Sequence, residues 1–368
     1  MKFICTQENL IAGLNCVSHI TNKNTTLPIL NNVKLVVNKN GLEISATNLE
    51  QAVVTTVRGR VELEGGITVP ARLLVEAVFL LNKENITLEL NNQDLVVKGG
   101  KNRTVLRGVP VDDFPVIPQP ENGLLVEFPS KGLVNALERV NFAVSLSDSR
   151  PEINAVYLYI KENNLVVVGT DSYRLAQVTL PLPNKLTELG SLLLPVKTSQ
   201  EVVRLFAGSD DLIRLLLNDN QVVWQQGEVR IISRLVTGQY PDYQQIIPEQ
   251  TNTNLQINRN ELIQAVKAAS LFVRVGINDV RLEVDTNQKS LIVSSVNSQL
   301  GENTSQLTPC LIEGETIQAI FNYRYLLDGL LAIADEEVVL GLVNSNSPAL
   351  LKPTKQADYL YLLMPIRQ

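Results

Sequence analysis

LVVVGTDSYRLAQ, residues 165–177, runs from an apolar tract into a connection that sets Thr170, Asp171, Ser172, Tyr173 and Arg174 side by side before Leu175. Its first half recurs. The tracts LEISATN (42–48) and LIVSSVN (291–297) also end on a small residue and a polar turn, and both show the period-two alternation of a half-buried strand. Further landmarks repeat in the same order around all three. Upstream stand the tetrads LNNV (30–33), INAV (153–156) and INDV (277–280). Before them come ENLIAGLNCV (8–17), KGLVNALERV (131–140) and NELIQAVKAA (260–269), with apolar residues at helical spacing. Downstream, VPARLLVEAVFLL (69–81), LPVKTSQEVVRLF (194–206) and FNYRYLLDGLLAI (321–333) read as second helices, and further strands close each copy near DFP (113–115), QYP (239–241) and LMP (363–365).

Five landmarks at a nearly constant offset define a triplication with a period of about 120 residues. The expected domains are 1–120, 121–248 and 249–368. Strands outnumber helices in each copy, and short gaps such as VKGGKN favour antiparallel hairpins. The fold class is therefore α+β, with two helices packed on antiparallel sheet in every copy.

The 368 residues are 45% hydrophobic and 19% charged, a composition that builds sizeable cores and excludes a disordered chain. Cys5, Cys16 and Cys310 are odd in number and lack CxxC spacing, which fits reduced thiols and a cytoplasmic protein rather than a disulfide frame or zinc site. The start MKFICTQENL has no apolar core after its lysine, and LLVEAVFLL (73–81) is short and carries Glu76, so neither a signal peptide nor a membrane span is expected.

The net charge of −6 is unevenly placed. The six helix-like segments 7–20, 71–83, 131–143, 197–208, 259–274 and 322–334 together carry about +4, leaving about −10 elsewhere. With the helices on one side of the sheets, Arg72, Lys83, Lys131, Arg139, Lys197, Arg204, Arg259, Lys267 and Arg274 would form a basic face suited to a polyanion. No zinc finger, basic zipper or RNP-like strand is present, so nucleic-acid contacts would be to phosphate and independent of sequence.

Chemistry at GTDSYR (169–174) is poorly supplied. Nucleophilic use of Ser172 needs a base, and the only histidine, His19, lies in the first copy's first helix. Asp171 and Asp148 lack the clustered ligands of a metal site, and Asp171 reads as a brace for its turn. No enzyme activity, cofactor or metal is expected.

In TLPILNNV (26–33), TVPAR (68–72), DFP (113–115), GTDSYRLA (169–176), QYPDYQQIIP (239–248) and LLMPIR (362–367), the whole chain resembles the bacterial β sliding clamps, the processivity subunits of DNA polymerase III. The resemblance implies three clamp domains per chain. It implies that two chains join head to tail in a dimeric ring around duplex DNA, with helices inside and sheets outside. It implies an interface of Thr104 and Leu106 against Leu271 and Phe272 of the second copy. It points to DNA contacts at Lys23, Asn24, Arg72, Ser147 and Lys197, to which the basic helices add Lys131, Arg139, Arg204 and Lys267.

The same resemblance makes the neighbourhood of GTDSYRLA a peptide-docking pocket. Ile153, Thr170, Ser172, Tyr173 and Pro348 belong to it, and Leu175, Pro241, Ile246, Leu362 and Met364 supply apolar walls for leucine or phenylalanine anchors. Arg174, Asn322 and Arg367 would hold polar groups, with Gln245, Tyr325, Pro365 and Ile366 completing the set. Tyr173 and Gln245 depart from the His and Arg frequent in the family. The implied partners are the DNA polymerase III alpha subunit, the clamp loader delta subunit, and other polymerases and repair proteins carrying short peptide motifs. A three-repeat protein-binding scaffold outside replication is the alternative.

Overall fold

The structure is a computed structural model that describes all residues except 22–26, 82–84, 119, 121, 183–189, 219, 275, 356–357 and 368. The first repeat holds β1 (Lys2–Thr6), α1 (Gln7–Ser18), β2 (Asn32–Asn38), β3 (Gly41–Thr47), β4 (Gln51–Val57), β5 (Arg60–Leu63), β6 (Gly65–Pro70), α2 (Ala71–Phe79), β7 (Asn85–Asn91), β8 (Asp94–Gly99) and β9 (Asn102–Arg107). The second holds β10 (Leu124–Pro129), α3 (Ser130–Asn141), β11 (Ala155–Lys161), β12 (Asn164–Thr170), β13 (Arg174–Pro181), β14 (Ser191–Pro195), α4 (Val196–Phe206), β15 (Leu212–Asn218), β16 (Gln221–Gln226) and β17 (Val229–Arg234). The third holds β18 (Thr253–Asn258), α5 (Arg259–Ser270), β19 (Asp279–Asp285), β20 (Ser290–Asn297), β21 (Gly301–Leu307), β22 (Leu311–Glu313), β23 (Ile317–Asn322), α6 (Tyr323–Leu331), β24 (Glu337–Leu342), β25 (Ala349–Pro353) and β26 (Tyr359–Leu363). Apart from the short β5 and β22, the three element orders coincide among the described residues.

Each first helix starts where the sequence stops favouring strand. Thr6 caps α1 by accepting from the Asn9 amide at 3.3 Å, and Asn258 caps α5 by accepting from Asn260 and Glu261. The buried residues of α1, Leu10, Gly13, Leu14 and Val17, follow helical spacing and pack on α2, β3 and β4. In the third repeat α5 packs likewise on α6, β20 and β21. The tetrad asparagines also have a structural use. The carbonyls of Asn154 and Asn278 accept from the first amides of α4 and α6 at 3.2 and 2.9 Å, closing each second helix onto the strand that follows the tetrad.

The sheets cross the repeat boundaries. Within a repeat, the strands form two half-sheets, and the last strand of one repeat pairs with the fourth strand of the preceding repeat. β17 lies antiparallel to β4 with Ile232 opposite Ala52, and β26 lies antiparallel to β13 with Leu362 opposite Leu175. The resulting orders are β10-β15-β16-β17-β4-β3-β2-β6 and β14-β11-β12-β13-β26-β25-β24-β18-β22. Among the described residues, two half-sheets have no such partner: β5-β1-β7-β8-β9, ending on β9, and β21-β20-β19-β23, ending on β21.

This sharing sets the packing units. One comprises Met1–Lys131 with Glu201–Leu235, the other Gly132–Gln200 with Val236–Gln368. Strands close each copy near these landmarks: Leu363 ends β26 itself, and DFP and QYP lie just beyond β9 and β17 in connectors to the next repeat. No helix among the described residues is long and apolar enough to cross a membrane.

Candidate functional site

In the second unit, the connection after β12 folds back within four residues. The Thr170 hydroxyl donates to the Arg174 carbonyl at 2.6 Å and accepts from the Ser172 amide, while Asp171 Oδ1 accepts from the amides of Tyr173 and Arg174 at 2.9 and 3.0 Å. Asp171 thus satisfies the turn's own backbone, as its residue type suggests. Ser172 sits at φ 76°, a left-handed conformation that side-chain-bearing residues seldom adopt. Gly169 is required for a different reason: a Cβ there would stand 2.5 Å from the Val140 carbonyl of α3.

Arg174 is the anchor of the turn. Its Nε donates to Asp171 Oδ2 at 3.0 Å, its Nη1 to Asp328 Oδ2 of α6 at 2.5 Å and its Nη2 to the Phe142 carbonyl at 2.6 Å. The guanidinium lies 4.4 Å from the Tyr325 ring centre and 5.4 Å from that of Phe142. Burial opposes its charge, but Tyr361, Asp328 and Asp171 outweigh burial and leave its pKa raised. All three donor groups of Arg174 are thus engaged within the protein. Asn322 is also engaged, since its side-chain oxygen caps α6 at the Arg324 amide, 3.0 Å away.

The apolar residues divide by depth. Ile153, Leu175 and Leu362 are interior, in one cluster with Tyr240 and Tyr243 on the nine-stranded sheet. Tyr240 stacks on Tyr157 with ring centres 4.6 Å apart, and the Tyr243 hydroxyl, 2.8 Å from that of Tyr159, donates to Gln177 Oε1 at 2.8 Å. Burial pushes both phenol pKa values well up, so the rings are neutral packing groups. Thr170 and Pro365 are buried as well. Around them Pro241, Tyr325, Pro348, Met364 and Ile366 are half-buried, and Ser172, Tyr173, Gln245, Ile246 and Arg367 are exposed. Tyr173 is 63% exposed and Ile246 45%. The last strand is pinned beside the turn, Met364 donating to the Tyr173 carbonyl at 2.9 Å and Ile366 to that of Ile320 at 2.7 Å.

Sequence reasoning missed Asp328 and Phe142, the distant partners of Arg174. No local pattern marks them, because they lie in α6 and just after α3. The Ser172 hydroxyl accepts from Arg150 at 3.0 Å, His19 bonds to Glu201, and no cluster of His, Cys, Asp and Glu among the described residues could hold a metal.

Three family models match the chain in order: DNA polymerase III beta subunit N-terminal domain over residues 1–118, central domain over 127–242 and C-terminal domain over 244–367. The chain belongs to the bacterial β sliding clamp family. Beta sliding clamps of Staphylococcus epidermidis and Staphylococcus aureus are each 29% identical over 376 aligned residues, covering 100% of this chain and 99% of the relative. The solved DNA polymerase sliding clamp of Bacillus subtilis superposes with TM-score 0.96 at 26% identity, over 100% of this chain and 99% of that one. That of Pseudomonas aeruginosa gives 0.94 at 29%, covering 100% of both chains. Membership supports the replication clamp as the main functional reading of the sequence.

On this β clamp chain the cations proposed for DNA sort by environment. Arg139 is a correction: its side chain is 9% exposed, paired to Asp358 at 2.9 Å and stacked 4.3 Å from the Tyr359 ring centre, so it braces the core and does not reach a polyanion. Arg204 is exposed but engaged. It pairs with Glu201 and donates to the Asn15 and Cys16 carbonyls at the end of α1, where a cation complements the helix dipole. Arg259 and Arg274 are similarly engaged, by the Ile333 carbonyl and by Asp279. Arg72 and Lys131 are paired to Glu76 and Asp210 but 80% and 76% exposed, and Lys197, Lys267 and Ser147 are exposed. Lys23, Asn24 and Lys83 lie outside the described residues.

The four interface candidates fall near the two unshared edges. Thr104 and Leu106 are in β9, half-buried and 8% exposed. Leu271 follows α5 and is 71% exposed, which excludes an ordinary core role, while Phe272 is half-buried.

Proposed function

We propose that this chain is a DNA sliding clamp: two copies close head to tail into a ring around duplex DNA and hold the replicative polymerase to its template. The observation that carries the reading is the pair of unshared edges. Every other repeat junction in the chain is a β ladder between equivalent strands, β17 on β4 and β26 on β13. β9 is equivalent to β17 and β26, β21 to β4 and β13, and each ends its own sheet. Pairing β9 of one copy with β21 of the next uses the same ladder a third time and removes the open edges, which otherwise invite uncontrolled association. Leu271, Phe272, Thr104 and Leu106 would flank that seam.

The clamp domains we assign are 1–120, 121–248 and 249–368, a division the three family matches support. Exposed Arg72, Lys131, Lys197 and Lys267 would make transient phosphate contacts, with Ser147 a polar contact. Lys23 and Asn24 remain in the proposal from resemblance alone. Few, weak contacts suit sliding, because retention comes from topology rather than affinity. The protein would be non-enzymatic, without cofactor, and cytoplasmic.

Partners would dock short segments on the GTDSYRLA turn. Tyr173, Ile246 and Met364 offer an adaptable apolar rim over the floor of Leu175 and Leu362. The polymerase III alpha subunit, the clamp loader delta subunit, other polymerases and repair proteins would compete for it. Deleting residues 364–368 tests this part. Primer extension on a long single-stranded template should lose clamp stimulation while sedimentation still reports the dimer, and unchanged product length would remove these residues from the docking site.

A further inference from the structure

We draw no further inference here: the strongest candidate, the recess of about 660 Å³ between α3 and the end of α6 in the second unit, has its buried cation Arg139 matched by Asp358 and its carboxylate Asp328 matched by Arg174, and nothing in the structure shows what fills it.

Discussion

Arg174 shows how one side chain converts a turn into a fixed surface. Its three donor groups meet a local carboxylate, a carboxylate on α6 and a carbonyl beyond α3, with its plane between two aromatic rings. Arg174→Ala leaves the half-buried Asp171 without its ion pair and the Phe142 carbonyl without this donor. A loss of about 3 kcal/mol is expected from breaking such a pair. It should appear in denaturant unfolding of the second unit and be only slightly relieved by Arg174→Lys, whose single ammonium cannot span three acceptors. An unchanged unfolding midpoint would mean that the brace carries no stability. Asp171 was legible as a turn brace from residue type alone. Asp328 and Phe142 were not, because nothing in a local pattern reports a partner more than a hundred residues away. The same blindness made Arg139 look like a member of a basic face, when its carboxylate partner Asp358 lies across the packing.

At the scale of elements, helical periodicity placed all six helices, and the structure trims only their ends. α1 stops at Ser18 rather than residue 20 and α6 at Leu331 rather than 334, where the last turns change to caps. What the pattern could not give is which strand meets which. Alternation sets the face of a strand but not its neighbour, so the exchange of half-sheets between repeats emerged only from the ladders. That exchange leaves β9 and β21 at sheet ends, and these are the interface elements of the proposed ring. Val105 of β9, 40% exposed, occupies the position that Ile232 and Leu362 hold in β17 and β26. Val105→Asp, and separately Leu271→Ala with Phe272→Ala, should weaken the dimer about 10- to 100-fold, as loss of interface anchors does. Sedimentation equilibrium reads this directly, and a mass unchanged across dilution would place the seam elsewhere.

For the whole molecule, the triplication was legible before any coordinates and carried the α+β class with it. The repeat explains why a chain of net charge −6 can serve DNA: binding need not come from overall attraction if the duplex is enclosed. In the proposed ring the few exposed helix cations would tune sliding rather than hold the DNA. The decisive measurement is retention on nicked circular plasmid after loading with ATP and a clamp loader, followed by a high-salt wash and then linearisation of the DNA. A closed ring survives the wash, because salt weakens phosphate contacts but cannot undo a topological link, and leaves only when the DNA gains ends. Release during the wash, with a known clamp retained in parallel, would contradict the account.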